Sequence, residues 1–84
     1  MSRSKTDSAI IESFGANVRR LRVQAGWTQA KLAEIIEVEL RTEQKWEAGE
    51  INVPLATLAR IQEVFGCRRE GLLAQLKPKR IRAG

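Results

Sequence analysis

Three glycines and a proline cut this chain into short pieces. Gly26 and Gly66 each close a stretch in which apolar residues recur every three or four positions, Gly49 closes a more polar one, and Pro54 pre-sets the backbone at the start of the stretch that ends at Gly66. Strand-like alternation is absent, so the pieces are expected to be helices. Helices this short hold only when they pack against one another. A chain of 84 residues makes one small domain, able to bury about 60–65% of its unfolded surface.

The pieces can be placed in order. Asp7 or Ser8 is expected to cap a first helix whose apolar stripe is Ile10, Ile11, Phe14, Val18 and Leu21, stopping at Gly26. Thr28 caps a short second helix, QAKLAEIIE, that turns Leu32, Ala33, Ile35 and Ile36 inward. A tight connection around Glu37–Glu39 leads to a third helix over roughly 40–48, closed by Gly49. Pro54 opens a fourth, with Leu55, Leu58, Ile61, Val64 and Phe65 at core spacing. The segment RREGLLAQL predicts a fifth that stops before Pro78. The expectation is an all-α, compact five-helix bundle, with a flexible N-terminal arm over 1–8, the folded domain over 9–77 and a basic tail over 78–84.

Composition excludes several classes of function. There is one cysteine, Cys67, and no histidine, so neither an internal disulfide nor a zinc-ligand set is available. The usual catalytic bases and nucleophile pairs are missing, and no Gly-rich phosphate loop appears. The chain is therefore not expected to be an enzyme or to hold a cofactor or metal. No apolar run reaches membrane-spanning length and the first residues lack a signal-peptide core, so a cytoplasmic protein with no membrane partner is expected. The 15 Lys and Arg outnumber the 10 Asp and Glu, a formal net charge of +5. A small basic protein favours nucleic acid, because neutralising phosphates releases counterions.

The second and third helices, with the short turn between them, match a helix-turn-helix, whose second helix enters the DNA major groove. The segment VRRLRVQAGWTQAKLAEIIEVELRTEQKWEAGEINVP resembles the Cro/repressor-type (XRE-like) helix-turn-helix family from end to end. The matching residues are Leu21-Arg22, Gly26-Trp27-Thr28-Gln29, Leu32-Ala33, Val38, Trp46-Glu47, Gly49 and Pro54. The likeness runs from about Phe14 to Leu73 and implies a lambda-repressor-like bundle that binds double-stranded DNA as a transcription regulator.

The resemblance assigns roles along the chain. Trp46 packs the recognition helix onto helices one and four, and Trp27 covers the corner between helices one and two. Arg22 and Glu47 form a structural ion pair. The base-contacting positions are Leu40, Arg41, Gln44 and Lys45; Arg and Lys suit guanine O6 and N7, Gln an adenine edge, and Leu a thymine methyl. Thr28 and Gln29 fall where the family binds phosphate; Arg19 and Arg20, by their charge and place, read either as flanking phosphate ligands or as solvated charges of helix one. An inverted-repeat operator bound by a homodimer follows, with recognition helices in successive major grooves about 34 Å apart. A repressor or an antitoxin-like autoregulator is the expected role.

Three features depart from the family's pattern. Glu37 replaces the usual turn glycine, at a cost of about 1 kcal/mol if φ is positive. Glu43 stands where Val or Ile usually meets the core, so it must find a cation, take up a proton or sit on a helix tilted outward. Glu50-Ile51-Asn52-Val53 replaces a loop that is often basic. Together Glu34, Glu37, Glu39, Glu43, Glu47 and Glu50 place six of the ten acids within seventeen residues, against Arg41 and Lys45 alone. That excess keeps a second reading open: a helix-turn-helix module that docks a basic protein partner, such as a toxin or another subunit, with little DNA affinity.

Overall fold

The computed structural model describes residues 3–66, which form four helices: α1 (Lys5–Ala25), α2 (Gln29–Ile35), α3 (Leu40–Glu47) and α4 (Leu55–Phe65). Five were expected; the fifth, RREGLLAQL, lies outside the described residues, as does the basic tail. The architecture among the described residues is all α, and α3 packs against both α1 and α2. No helix among them is long and apolar enough to cross a membrane.

α1 starts earlier than the sequence suggests. The Ser4 hydroxyl, not Asp7 or Ser8, caps the helix by accepting a backbone N–H of its first turn, that of Asp7, at 2.9 Å. Residues 5–8, expected in the arm, therefore form its first turn, with Asp7 favourably placed toward the positive end of the helix dipole. Arg3 is held too, donating from Nη2 to the Gly49 carbonyl at 3.2 Å.

Three helix ends share one construction. After α1, the Gly26 and Trp27 N–H groups return to the Val23 and Arg22 carbonyls, and Gly26 has φ +78°. After α3, Gly49 and Glu50 do the same to Trp46 and Lys45. After α2, Glu37 and Val38 bond back to Glu34 and Ala33, at 3.2 and 2.9 Å. This double bond-back satisfies carbonyls that a helix end leaves open, but it demands a left-handed residue. Glu37 adopts φ +60° without being glycine. The turn has the usual shape, and the glutamate carries about 1 kcal/mol of backbone strain to keep it.

The core is small and continuous: Phe14 and Val18 of α1, Leu32 of α2, Ile36 at its end, Trp46 of α3 and Ile61 of α4. Leu21, Trp27, Ile35, Val38, Ile51, Val53, Leu58, Val64 and Phe65 pack around it. Trp27 closes the α1–α2 corner against Phe65, ring centroids 5.5 Å apart. Leu55 was expected inside but is 75% exposed. Counted at about 100° per residue, it lies some 120° from the centre of the stripe made by Thr57, Leu58, Ile61, Val64 and Phe65.

Gly15 sets how closely α1 and α3 approach. A Cβ there would stand 2.2 Å from the Trp46 carbonyl oxygen and 3.0 Å from that of Glu47. Both obstacles are backbone, so neither can rotate away. Gly15→Ala is expected to lower stability by about 1–3 kcal/mol through forced separation of the helices, read as a drop in the urea midpoint. An unchanged midpoint would show that the two backbones tolerate wider spacing.

Candidate nucleic-acid interface

α3 has two unlike faces. Toward the core it presents Glu43 and Trp46, both buried. Away from the core it presents Arg41, Gln44 and Lys45, all exposed, with Leu40 at its start 42% exposed. Helical spacing accounts for the division: Arg41 and Lys45 are four apart on one face, Glu43 and Trp46 three apart on the other. The structure thus brings the four expected base-contact residues together on one surface strip.

The expected phosphate ligands are arranged less uniformly. Thr28 is exposed, and its Oγ1 accepts from the Lys31 N–H at 3.0 Å, so it caps α2 while its hydroxyl proton stays available. Gln29 is half-buried and turned toward α3. Arg19 and Arg20 are exposed on α1, and Arg20 donates to the Asn17 Oδ1 at 3.3 Å.

Beneath α3 lies an ionic centre. Arg22 Nε donates to Glu47 Oε2 at 2.7 Å and Nη2 to Oε1 at 3.2 Å, while Nη1 donates to the Trp27 carbonyl at 2.7 Å. The Glu47 side chain is only 4% exposed. Burial alone would raise the Glu47 pKa, but the adjacent Glu43 carboxyl, the hydrogen bonds from Arg22 and Gln29, and the charge of Arg22 outweigh it and hold the carboxylate below its usual range. The bond to Glu47 in turn raises the Arg22 pKa. This pair ties the end of α3 to α1 and to the start of α2.

Glu43 follows neither of the routes expected to relieve it by a cation or by tilting. It is 0% exposed, and neither of its oxygens has a hydrogen-bond partner among the described residues; nor does the Trp46 indole N–H. Arg22 is near enough to favour ionisation, yet it spends its bonds on Glu47 and Trp27. Burial, reinforced by the Glu47 carboxyl, pushes the Glu43 pKa up to about 9. Glu43 is accommodated as a neutral acid at pH 7.

The local charge changes accordingly. Of the six clustered acids, Glu43 is neutral and Glu47 is matched by Arg22. Glu34, Glu37, Glu39 and Glu50 remain exposed, with Glu34 3.6 Å from Lys31. The excess is smaller than the sequence suggests.

Sequence reasoning missed Gly15, the Ser4 cap and the hydrogen bond that Gln44 Nε2 donates to Gln29 Oε1 at 3.2 Å, linking α3 to α2. Gly15 had a visible signal, a glycine inside a helical run, where it costs about 1 kcal/mol unless packing requires it, and Ser4 had one as a cap residue type.

The arrangement defines a helix-turn-helix: α2, a turn through a left-handed residue, and α3 displaying long polar side chains over a buried seat. Residues 18–72 match the model of the family described as Helix-turn-helix. The chain belongs to this XRE-type helix-turn-helix family, a DNA-binding class of regulator. Among solved structures it is similar to a crystal structure described as a hypothetical transcription factor, NHTF, from Neisseria. The TM-score is 0.73 at 22% identity, covering 94% of this chain and 88% of that one, a likeness of fold. No curated protein matches the chain.

Proposed function

We propose that the protein is a repressor or an antitoxin-like autoregulator that binds an inverted-repeat operator as a homodimer, with α3 in the major groove. The observation that carries this reading is the two-faced α3. Leu40, Arg41, Gln44 and Lys45 lie on the exposed side of a helix whose other side is anchored by Trp46 and Glu47. Arg41 and Lys45 offer donors to guanine, Gln44 offers a paired donor and acceptor to adenine, and Leu40 offers apolar contact to a thymine methyl. Thr28, Gln29, Arg19 and Arg20 supply phosphate contacts that set the register. Lys77, Lys79, Arg80 and Arg82, outside the described residues, add cations on the flank.

The test is selection of bound sites from a randomised duplex pool at low salt, with Arg41→Ala/Lys45→Ala in parallel. The wild type is expected to recover a palindrome and the double variant to lose it, with wild-type affinity falling steeply as salt rises. Enrichment of nothing by either protein would overturn the DNA reading. The exposed Glu34, Glu37, Glu39 and Glu50 favour one alternative, docking of a basic protein partner. A pull-down would then follow.

A further inference from the structure

A cation from the start of the chain is held at the end of α3. Arg41 and Lys45 lie one helical turn apart on the exposed strip, and one turn further on comes Gly49. Its carbonyl, about 6 Å beyond Lys45 along the axis, accepts from Arg3 Nη2 at 3.2 Å, a bond between residues 46 apart in sequence. That carbonyl is a fixed point. Gly49 is buried, and a Cβ on it would stand 2.9 Å from Glu12 Cγ and 3.1 Å from Glu12 Cα, so α1 and the end of α3 meet closely here. A carbonyl oxygen positions a guanidinium without neutralising it. Arg22 is the opposite case, its charge matched by Glu47. Among the described residues Arg3 has no carboxylate partner, and its side chain is exposed. With one N–H engaged, one edge of the guanidinium fork stays open for a second, bidentate acceptor.

We infer that Arg3 is a DNA phosphate ligand at the wall of the groove, supplying the cation that the loop Glu50-Ile51-Asn52-Val53 lacks. This rests on the DNA-reading proposal above. A recognition helix sends its N-terminal residues to the base edges, so its other end rises toward the sugar–phosphate backbone. The loop that begins there carries Glu50 and no Lys or Arg, and Glu12 lies against its first residue; both acids are exposed. Without Arg3 this corner repels a phosphate. With it, Arg3 and Lys45 balance the two acids and a bidentate donor faces the backbone. Such a contact sets register and affinity but reads no base.

The test uses the full chain and a duplex recovered by the selection above, with affinity followed as salt is raised. Arg3→Gln keeps a donor for the Gly49 carbonyl and loses the charge, whereas Arg3→Lys keeps the charge. Arg3→Gln should weaken binding about five- to tenfold per bound subunit near about 0.1 M salt and flatten the slope of log K against log salt by about 0.9. The selected duplex and an unrelated one should lose equally, and Arg3→Lys should keep most of the slope. Weakening with an unchanged slope would overturn the inference and leave Arg3 as a clamp on α3. Affinity that ignores Arg3→Gln, or a loss confined to one base position, would overturn it too, while the DNA reading stands. A wild type that binds no duplex sinks both. Should Arg3→Gln fail to fold, NMR of the wild type decides: an Arg3 Nε–H signal unmoved by added duplex overturns the inference.

Discussion

Arg22→Met is expected to lower folding stability by about 3–5 kcal/mol, which for a domain of this size is a large fraction of the total. The loss comes from what remains behind. Glu47 is 4% exposed on its side chain and would keep only the Gln29 amide as a donor from the present network, so its charge would be buried and poorly compensated. It would also sit beside Glu43, and two adjacent carboxyls without Arg22 compete for one proton. The Trp27 carbonyl loses its Arg22 donor as well. Replacing both partners, as in Arg22→Met/Glu47→Leu, should recover part of the loss, because an apolar pair leaves no stranded charge. Urea unfolding of the three proteins measures this. A loss below about 1 kcal/mol for Arg22→Met would place the pair with weak surface bridges.

Glu43→Val is expected to act in the opposite direction, raising stability by about 1–3 kcal/mol near pH 5 and by more at pH 8. The acid is 0% exposed with both oxygens unpartnered, so an apolar side chain removes a desolvation cost and no hydrogen bond of normal geometry. The pH dependence follows from the direction of the shift. Glu43 titrates at about 9 in the folded chain against 4.5 ordinarily, so between those values the folded state holds the extra proton. Its contribution is complete below the unfolded value and drains away as pH rises toward about 9, at up to about 1.4 kcal/mol per pH unit. Glu47, held low, behaves oppositely: its contribution is present above the ordinary carboxyl range and is lost in acid as pH falls through its folded value. The wild type should therefore be most stable in weak acid, and the gap between wild type and variant should widen with pH. Melting curves from pH 5 to 9 settle it; parallel profiles would show that Glu43 does not carry the proton.

Much of the fold was legible because local chemistry decided it. Thr28, Gly26 and Pro54 act through bonds or dihedrals confined to their own neighbourhoods, and the structure uses each at a helix end. Trp46 announced itself as an apolar ring among charges. What was not legible depended on three-dimensional partners. The Ser4 cap competed with two equally good candidates, Asp7 and Ser8. Leu55 satisfied a spacing rule that is loose at a helix start. The inward side of Glu43 was readable from its position, but its protonation required knowing that Arg22 is committed to Glu47 and Trp27. The link between Gln29 and Gln44 spans fifteen residues and appears only once α2 and α3 are docked.

The glycine contact between α1 and α3 has a consequence for how such a protein changes over generations. Backbone meets backbone at Gly15, so the seat of α3 owes little to the side chains on its outer strip. Arg41 and Lys45 can be exchanged without disturbing the foundation beneath them, and a change at Gln44 gives up one exposed bond to Gln29. On the proposed DNA reading, a lineage of these chains is expected to drift from one operator to another by rewriting a few exposed letters, while changes on the buried half of the same helix unseat it.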